Sequence, residues 1–254
     1  MIVRGVLKLE AGVFRVSSTL KYYYKKCCIR IRKVIMYILE YSKGEAMEIK
    51  RDNYFENAKS FFLGADQEEL ISKLGLRVDG DYIYLRVMDV QYRISRKYGD
   101  LQRSQDGVNY TDEKSHDAAL SIFDYLTWSK NDRKLSGEFV SLKGLGFNSH
   151  TYLFEGSGGI YERGGAIFSG QSEKLIKILN RFDGKRMNSA DISSIFEVFD
   201  GFPIYFQFWE GDDEYKSRIF FLWDANSAQY IHLETTFYLL NMVLHRMTEL
   251  FEEE

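Results

Sequence analysis

The sequence predicts an α+β domain, in which three or four helices cover a mostly antiparallel sheet that includes a C-terminal β-hairpin. Short runs of alternating apolar and polar residues, separated by turn-forming residues, are typical of antiparallel strands. Longer segments repeat apolar residues at the helical spacing of three or four. The predicted strands are 82–101, 138–142, 192–199, 203–209 and 214–223, and the predicted helices are 53–74, 116–129, 173–182 and 233–251.

The first half of the chain contains a helix followed by a hairpin. Helix 53–74 begins at Asn53, has a break near 64–66 and ends at Gly75. Residues 82–87 and 90–94 alternate on both sides of a two-residue turn, which predicts the hairpin, and residues 98–101 add a short strand. Residues 103–114 are polar, and the apolar stripe of 116–129 predicts the next helix.

The glycine-rich stretch 144–170 predicts a loop, with residues 152–154 extended. It has neither the G-x-G-x-x-G spacing of a dinucleotide site nor the G-K-[ST] ending of a phosphate loop. The segment 191–199 fits either a helix or a strand, and the strand interpretation enters the predicted sheet.

The C-terminal hairpin is the most distinctive part of the sequence. Pro203 opens its first strand, where a missing N–H is tolerated. An acidic turn at 210–213 leads into the returning strand 214–223. We expect a solvated tip and a buried base that is anchored by Trp209 and Trp223.

The N-terminal segment differs in charge from the rest of the chain. Residues 1–46 hold ten Lys or Arg and three Asp or Glu, a net charge of +7, and the remainder holds 24 and 34, a net charge of -10. Residues 43–46 can be encoded as a purine-rich ribosome-binding site ahead of Met47. We therefore predict that 1–46 is a non-native or disordered leader and that 47–254 is the single domain. A genuine basic arm and a targeting peptide are the alternatives.

Cysteine usage and hydropathy place the protein in the cytoplasm. The two cysteines, Cys27 and Cys28, are neighbours, which excludes a disulfide framework and fits a reducing compartment. No run of about 18 uncharged apolar residues predicts a membrane span. The acidic body opposes phosphate contacts, so we expect neither a nucleic-acid nor a membrane partner.

The acidic hairpin offers the one candidate metal site. Carboxylates on a turn can bind a divalent cation such as Mg²⁺ or Ca²⁺, and a solvated tip is the alternative. No other cofactor is predicted. Asp224 could instead cap the following loop through backbone N–H groups. The candidate metal ligands are Asp212, Asp213, Glu214, Asp224 and His232.

The sequence contains no recognisable catalytic constellation. It has no H-E-x-x-H motif, no histidine pair at ligand spacing and no G-x-S-x-G elbow. His232 precedes the last helix and is interpreted as a residue of its cap region. Whether the protein is an enzyme stays open.

The hairpin resembles the C-terminal signature of the domain of unknown function 3786 family. The similar features are a proline-led strand ending in Trp209, the acidic turn with Tyr215, and the segment Phe221–Asp224 before a terminal helix. Residues 135–142 are similar to a second motif, and Trp223 stands where Phe is usual. The resemblance implies a prokaryotic, often anaerobic, cytoplasmic protein with no established activity. Some relatives carry an iron–sulfur module, which Cys27-Cys28 does not match.

These observations favour a non-catalytic binding or accessory module that recognises an unidentified protein partner or small ligand. The alternative is a metal-dependent enzyme or small-ligand binder that uses the acidic hairpin around Asp212–Asp224.

Overall fold

A computed structural model describes residues 46–146, 152–155 and 159–253. The chain divides into two units between Asp52 and Asn53. Of the first unit only the beginning of one helix is described. The predicted leader lies outside the described residues except for Ala46, and the start at Met47 stays a prediction.

Groups of helices and groups of strands follow one another along the described chain. The helices are α1 Ala46–Leu63, α2 Gln67–Leu74, α3 His116–Trp128, α4 Tyr152–Glu155, α5 Ile160–Phe168, α6 Ser172–Arg181 and α7 Thr235–Glu253, with a 3₁₀ turn at Ser227–Gln229. The strands are β1 Arg77–Asp79, β2 Tyr82–Val87, β3 Val90–Ser95, β4 Leu101–Ser104, β5 Thr111–Asp112, β6 Phe139–Val140, β7 Lys185–Met187, β8 Ile192–Phe199, β9 Phe202–Trp209 and β10 Arg218–Asp224.

All described strands join one antiparallel sheet. Its order is β5-β4-β3-β2-β8-β9-β10-β6, with β1 beside β2 and β7 beside β8. The two halves of the sheet meet where Val87 pairs with Phe199, next to a bulge in β8. The α+β class, the antiparallel sheet and the C-terminal hairpin are therefore confirmed.

The helices cover one face of this sheet. Phe182 of α6 packs on Phe196, with 5.1 Å between ring centroids, and Tyr125 of α3 stacks on Phe199 at 4.1 Å. Helix α7 packs in turn against α3, α5 and α6. Ile219 and Trp223 of the hairpin are fully buried on the same face. This apolar burial supplies most of the driving force for folding.

Local signals determine where the first helices end. The side chain of Asp66 accepts a hydrogen bond from the N–H of Glu69, 3.1 Å away, and so caps α2. Gly75 ends α2 in the left-handed conformation at φ +64°, which a glycine adopts without steric cost. The predicted break near 64–66 and the stop at Gly75 are confirmed.

The prediction of a loop at 144–170 is wrong for most of the residues that are described in this stretch. Residues 152–154, predicted as extended, lie in α4, and Ile160–Phe168 form α5. Gly164 and Gly165 bring α5 close to β10, because a Cβ atom on Gly165 would lie 2.1 Å from the carbonyl oxygen of Ser217. Close helix–sheet packing therefore outweighs the low helix propensity of glycine.

Several boundaries also differ from the prediction. The short strand predicted at 98–101 lies at Leu101–Ser104, and the returning strand begins at Arg218 rather than at 214 because an ordered turn occupies the intervening residues. Trp223 is buried as expected, but Trp209 is 44% exposed at the hairpin tip, so it does not anchor the base.

In the described part of the chain, no helix combines the length and the apolar character that crossing a bilayer requires.

Candidate functional site

The acidic hairpin tip is ordered by its own hydrogen bonds. The carboxylate of Asp212 accepts from the backbone N–H groups of Glu214 and Tyr215, both at 2.8 Å. The hydrogen bond from Tyr215, followed by that from Glu214, holds the pKa of the Asp212 carboxyl below its usual range. Asp212, Asp213 and Glu214 are all exposed. The tip therefore has the geometry of a self-capped turn in solvent.

Glu210 ties this tip to the helices. Its carboxylate accepts hydrogen bonds from Ser169 Oγ and Ser217 Oγ, both at 2.8 Å, and from the N–H of Gly170 at 3.0 Å. Burial opposes ionisation, but these hydrogen bonds outweigh it and lower the pKa of Glu210. Glu210 thus holds the junction of α5 and α6 against the hairpin.

Asp224 lies at the opposite end of β10 and is fully buried. Its carboxylate accepts from the backbone N–H groups of Ser136, Gly137 and Asn226 at 2.8–2.9 Å. The bond to Asn226 is the loop cap that the sequence suggests, and the other two fix the segment before β6. Asp224 is about 20 Å from the start of β10, since a strand rises about 3.3 Å per residue.

His232 is bound to a carboxylate that sequence spacing does not identify, that of Asp124 in α3. Its Nδ1 lies 2.6 Å from Asp124 Oδ1, and its backbone N–H donates to Oδ2 at 2.8 Å. The hydroxyl of Thr235 donates to the same Oδ2 at 2.7 Å, and the imidazole packs on the indole of Trp128. Asp124 therefore joins the beginning of α7 to α3.

The structure divides the five predicted metal ligands among three places. Asp212, Asp213 and Glu214 share the exposed tip, Asp224 is buried among backbone donors, and His232 pairs with Asp124. Among the described residues, no three His, Cys, Asp or Glu side chains are grouped so that they could hold a metal ion. The five residues do not come together as one site.

A different group stands out on the sheet face opposite the helices. Cross-strand pairing places Arg77, Tyr84, Arg93, Gln102 and Asp112 in one row across β1 to β5. Side chains alternate between the two faces of a strand, and the neighbouring positions Ile83 and Ile94 are buried in the core. The row therefore points away from the core. We call Arg77, Tyr82, Tyr84, Arg93 and Tyr110 the arginine–tyrosine patch.

The arginines of the patch stack on its tyrosine rings. The guanidinium carbon of Arg77 lies 3.9 Å from the ring centroid of Tyr84. That of Arg93 lies 4.4 Å from the centroid of Tyr82 and 4.1 Å from that of Tyr110. Such cation–π contacts hold a guanidinium in place and leave it charged.

The carboxylates near the patch are engaged by neutral donors. The Tyr84 hydroxyl donates to Asp79 at 2.6 Å, and the amide of Gln102 donates to Asp112 at 2.9 Å. The bond to Asp79 raises the pKa of Tyr84. Gln102 also accepts from Arg93 Nε at 2.8 Å. Within the described ranges, no carboxylate oxygen lies within 4.0 Å of a side-chain nitrogen of Arg77 or Arg93.

Arg86, on the same face of β2, differs from the two arginines of the patch because it has carboxylate partners. Its guanidinium forms ion pairs with Asp200 at 2.7 Å and with Glu197 at 3.6 Å. The patch also contains a buried tyrosine hydroxyl, that of Tyr110, which has no hydrogen-bond partner among the described residues. Buried polar groups are nearly always hydrogen-bonded, so this hydroxyl indicates a partner that the described protein atoms do not provide.

Sequence reasoning missed the patch although it predicted the β2–β3 hairpin. The alternation of Tyr82 and Tyr84, opposite Arg93, was the available signal. The contributions of Arg77 and Tyr110 depend on β1, where the sequence predicts no strand, and on the loop before β5, which the sequence shows only as polar.

Comparison with known proteins gives one family match. A family model described as Domain of unknown function (DUF3786) matches residues 66–246, well over half of the chain. No curated protein and no solved structure matches the chain. The matched range contains the patch, the pair Asp124–His232 and the C-terminal hairpin, as the resemblance of that hairpin implied. The chain belongs to the DUF3786 family.

Proposed function

We propose that this protein is a non-catalytic binding module that holds a small anionic ligand on the arginine–tyrosine patch. The observation that carries the proposal is the pair Arg77 and Arg93, which are positioned on tyrosine rings without a carboxylate partner in the described chain. Elsewhere on the same sheet face, Arg86 has its own carboxylates. A fixed, unneutralised guanidinium is suited to carboxylate and phosphate oxygens.

The overall charge favours a small ligand over a polyanion. Residues 47–254 hold 24 Lys or Arg and 34 Asp or Glu, a net charge of -10. The electrostatic field of this net negative charge repels a long polyanion such as nucleic acid, whose affinity depends on neutralising many phosphates. A ligand with one or two charges meets mainly the local field of the two arginines. For the same reason we propose neither a nucleic-acid nor a membrane partner.

The alternative, a metal-dependent enzyme or ligand binder at the acidic hairpin, has less support. Its proposed ligands lie at opposite ends of β10, and the carboxylate of Asp224 already accepts three backbone hydrogen bonds. A divalent cation at the tip would contact only the exposed side chains of Asp212, Asp213 and Glu214. A cytoplasmic location in a prokaryote, often an anaerobe, remains part of the proposal.

Thermal unfolding of the full chain tests the proposal, with inorganic phosphate and acetate as probes at matched ionic strength. A ligand that binds only the native state stabilises it by RT ln(1 + [L]/Kd), which is about 1.4 kcal/mol at ten times Kd. We expect a rise in Tm with at least one probe and no rise in the double variant R77Q/R93Q.

The matched control is Arg86→Gln, which removes the same charge from the same sheet face. It should keep the anion-induced rise because Arg86 is already paired with acidic side chains. An equal rise in the double variant, or the absence of any rise in the native protein, would contradict the proposal.

A further inference from the structure

We infer that the ligand of the arginine–tyrosine patch carries two carboxylate groups, one for each arginine. This inference rests on the proposed function and adds the class of ligand. The cross-strand pairs Arg77–Tyr84 and Tyr84–Arg93 place the two arginines on either side of one tyrosine, on the same sheet face. Their backbones are about 10 Å apart, because two strand spacings separate them.

The stacking of the guanidinium groups determines how an anion can approach. Arg93 stacks on both Tyr82 and Tyr110, and its Nε donates to Gln102. An anion therefore reaches the remaining N–H groups along the edge of the guanidinium plane. Two parallel N–H donors along such an edge match the two oxygens of a planar carboxylate.

Arg77 provides the second contact point. It is exposed, and one face of its guanidinium lies on Tyr84. A monocarboxylate can engage one arginine at a time, whereas a dicarboxylate of suitable length engages both. The second contact is then intramolecular, so it adds affinity at little further entropic cost. The nearby carboxylates of Asp79 and Asp112 accept from neutral donors and stay negative, so they oppose an anion of three or four charges more strongly than a dicarboxylate.

Isothermal titration calorimetry on the full chain tests this inference with acetate, succinate, glutarate, adipate and inorganic phosphate at one ionic strength. We expect one of the three dicarboxylates to bind at least about tenfold more tightly than acetate. Arg77→Gln should reduce its affinity to that of acetate, whereas Arg86→Gln should leave it within about twofold. Arg77→Lys keeps the positive charge but loses the pair of parallel N–H donors of the guanidinium. The affinity of this variant for the dicarboxylate should therefore lie between those of the native protein and Arg77→Gln.

The possible outcomes separate the inference from the proposed function. Equal affinities for acetate and all three dicarboxylates, lost in R77Q/R93Q, would overturn the inference and leave the proposed function standing. Tighter binding of phosphate than of every dicarboxylate would do the same. No binding of any probe would overturn both. Arg77 is exposed, so its substitution leaves the core intact, and the unfolding midpoint of each variant provides the check on folding.

Discussion

The substitution Glu249→Gln tests the ion network that fastens α7 to the sheet. The two carboxylate oxygens of Glu249 accept from the two terminal nitrogens of Arg103 on β4, both at 2.9 Å. Arg246, whose side chain is 4% exposed, donates to Glu249 at 2.8 Å and to Asp89 at 2.9 and 2.6 Å. Asp89 lies in the turn between β2 and β3, so Glu249 and Arg246 together connect α7 with β4 and with this turn.

The pKa of Glu249 gives the size of its contribution to the free energy of unfolding. Burial raises this pKa, but hydrogen bonds from Arg103 and Arg246 and their positive charges outweigh it, and the pKa falls from 4.5 to about 2. Such a change corresponds to about 3 kcal/mol in favour of the native state. Solvent screening, at a side chain that is 25% exposed, reduces the expected loss in Glu249→Gln to about 2 kcal/mol at pH 7.

The sign of the pH dependence follows from linkage. The pKa of Glu249 is lower in the folded state, so its stabilisation is fully present above pH 4.5 and is lost as the pH falls towards 2. We expect the free energies of unfolding of the native protein and Glu249→Gln to differ at pH 7. This difference should shrink between pH 4.5 and 2, because a protonated glutamate resembles glutamine.

Urea unfolding monitored by tryptophan fluorescence measures this difference, since Trp223 is fully buried. The control is Glu252→Gln in the same helix, since Glu252 is exposed and has no ion pair among the described residues. This substitution should change the free energy of unfolding by no more than about 0.5 kcal/mol. Equal stabilities of Glu249→Gln and the native protein at pH 7, or a difference that persists unchanged at pH 2, would refute the reasoning.

Three further substitutions test other contacts. Asp224→Asn should lower the free energy of unfolding in urea by about 2–3 kcal/mol, because buried backbone N–H groups lose a charged acceptor; Asp213→Asn at the exposed tip should cost less than about 0.5 kcal/mol, and equal losses would contradict this assignment. Gly165→Ala should lower Tm although alanine favours helices by about 1 kcal/mol, because its Cβ would meet the carbonyl oxygen of Ser217; a higher Tm would exclude the close contact. Asp124→Asn should speed amide exchange in the first turn of α7, as hydrogen-exchange mass spectrometry can measure, and unchanged exchange there would show that Asp124 does not hold that turn.

The hairpins were predictable because their pairing is local. In β2–β3 and β9–β10, alternation and a turn determine both the strands and the side chains that share a face. The same applies to α2, whose cap at Asp66 and stop at Gly75 are read from adjacent residues. The wet tip and the buried Trp223 follow from this local pattern.

Contacts between distant segments were not predictable in the same way. Gly164 and Gly165 disfavour a helix by propensity, and only their packing against β10 explains why α5 forms there. The acids between 210 and 224 are close in sequence, but the extended strand β10, about 20 Å long, lies between Asp224 and the others. Asp124 and His232 are far apart in sequence and meet because α3 packs against α7.

The candidate site likewise separates what the local sequence determines from what contacts between distant segments determine. Composition and periodicity alone determine the α+β class, the two hairpins and the acidic character of the body, since these depend on residue type and nearest neighbours. The arginine–tyrosine patch depends on β1 pairing with β2 and on Tyr110 reaching Arg93, which the tertiary structure decides. A one-residue change in strand register would send Arg77 or Arg93 to the other face, so residue type alone could not predict the patch.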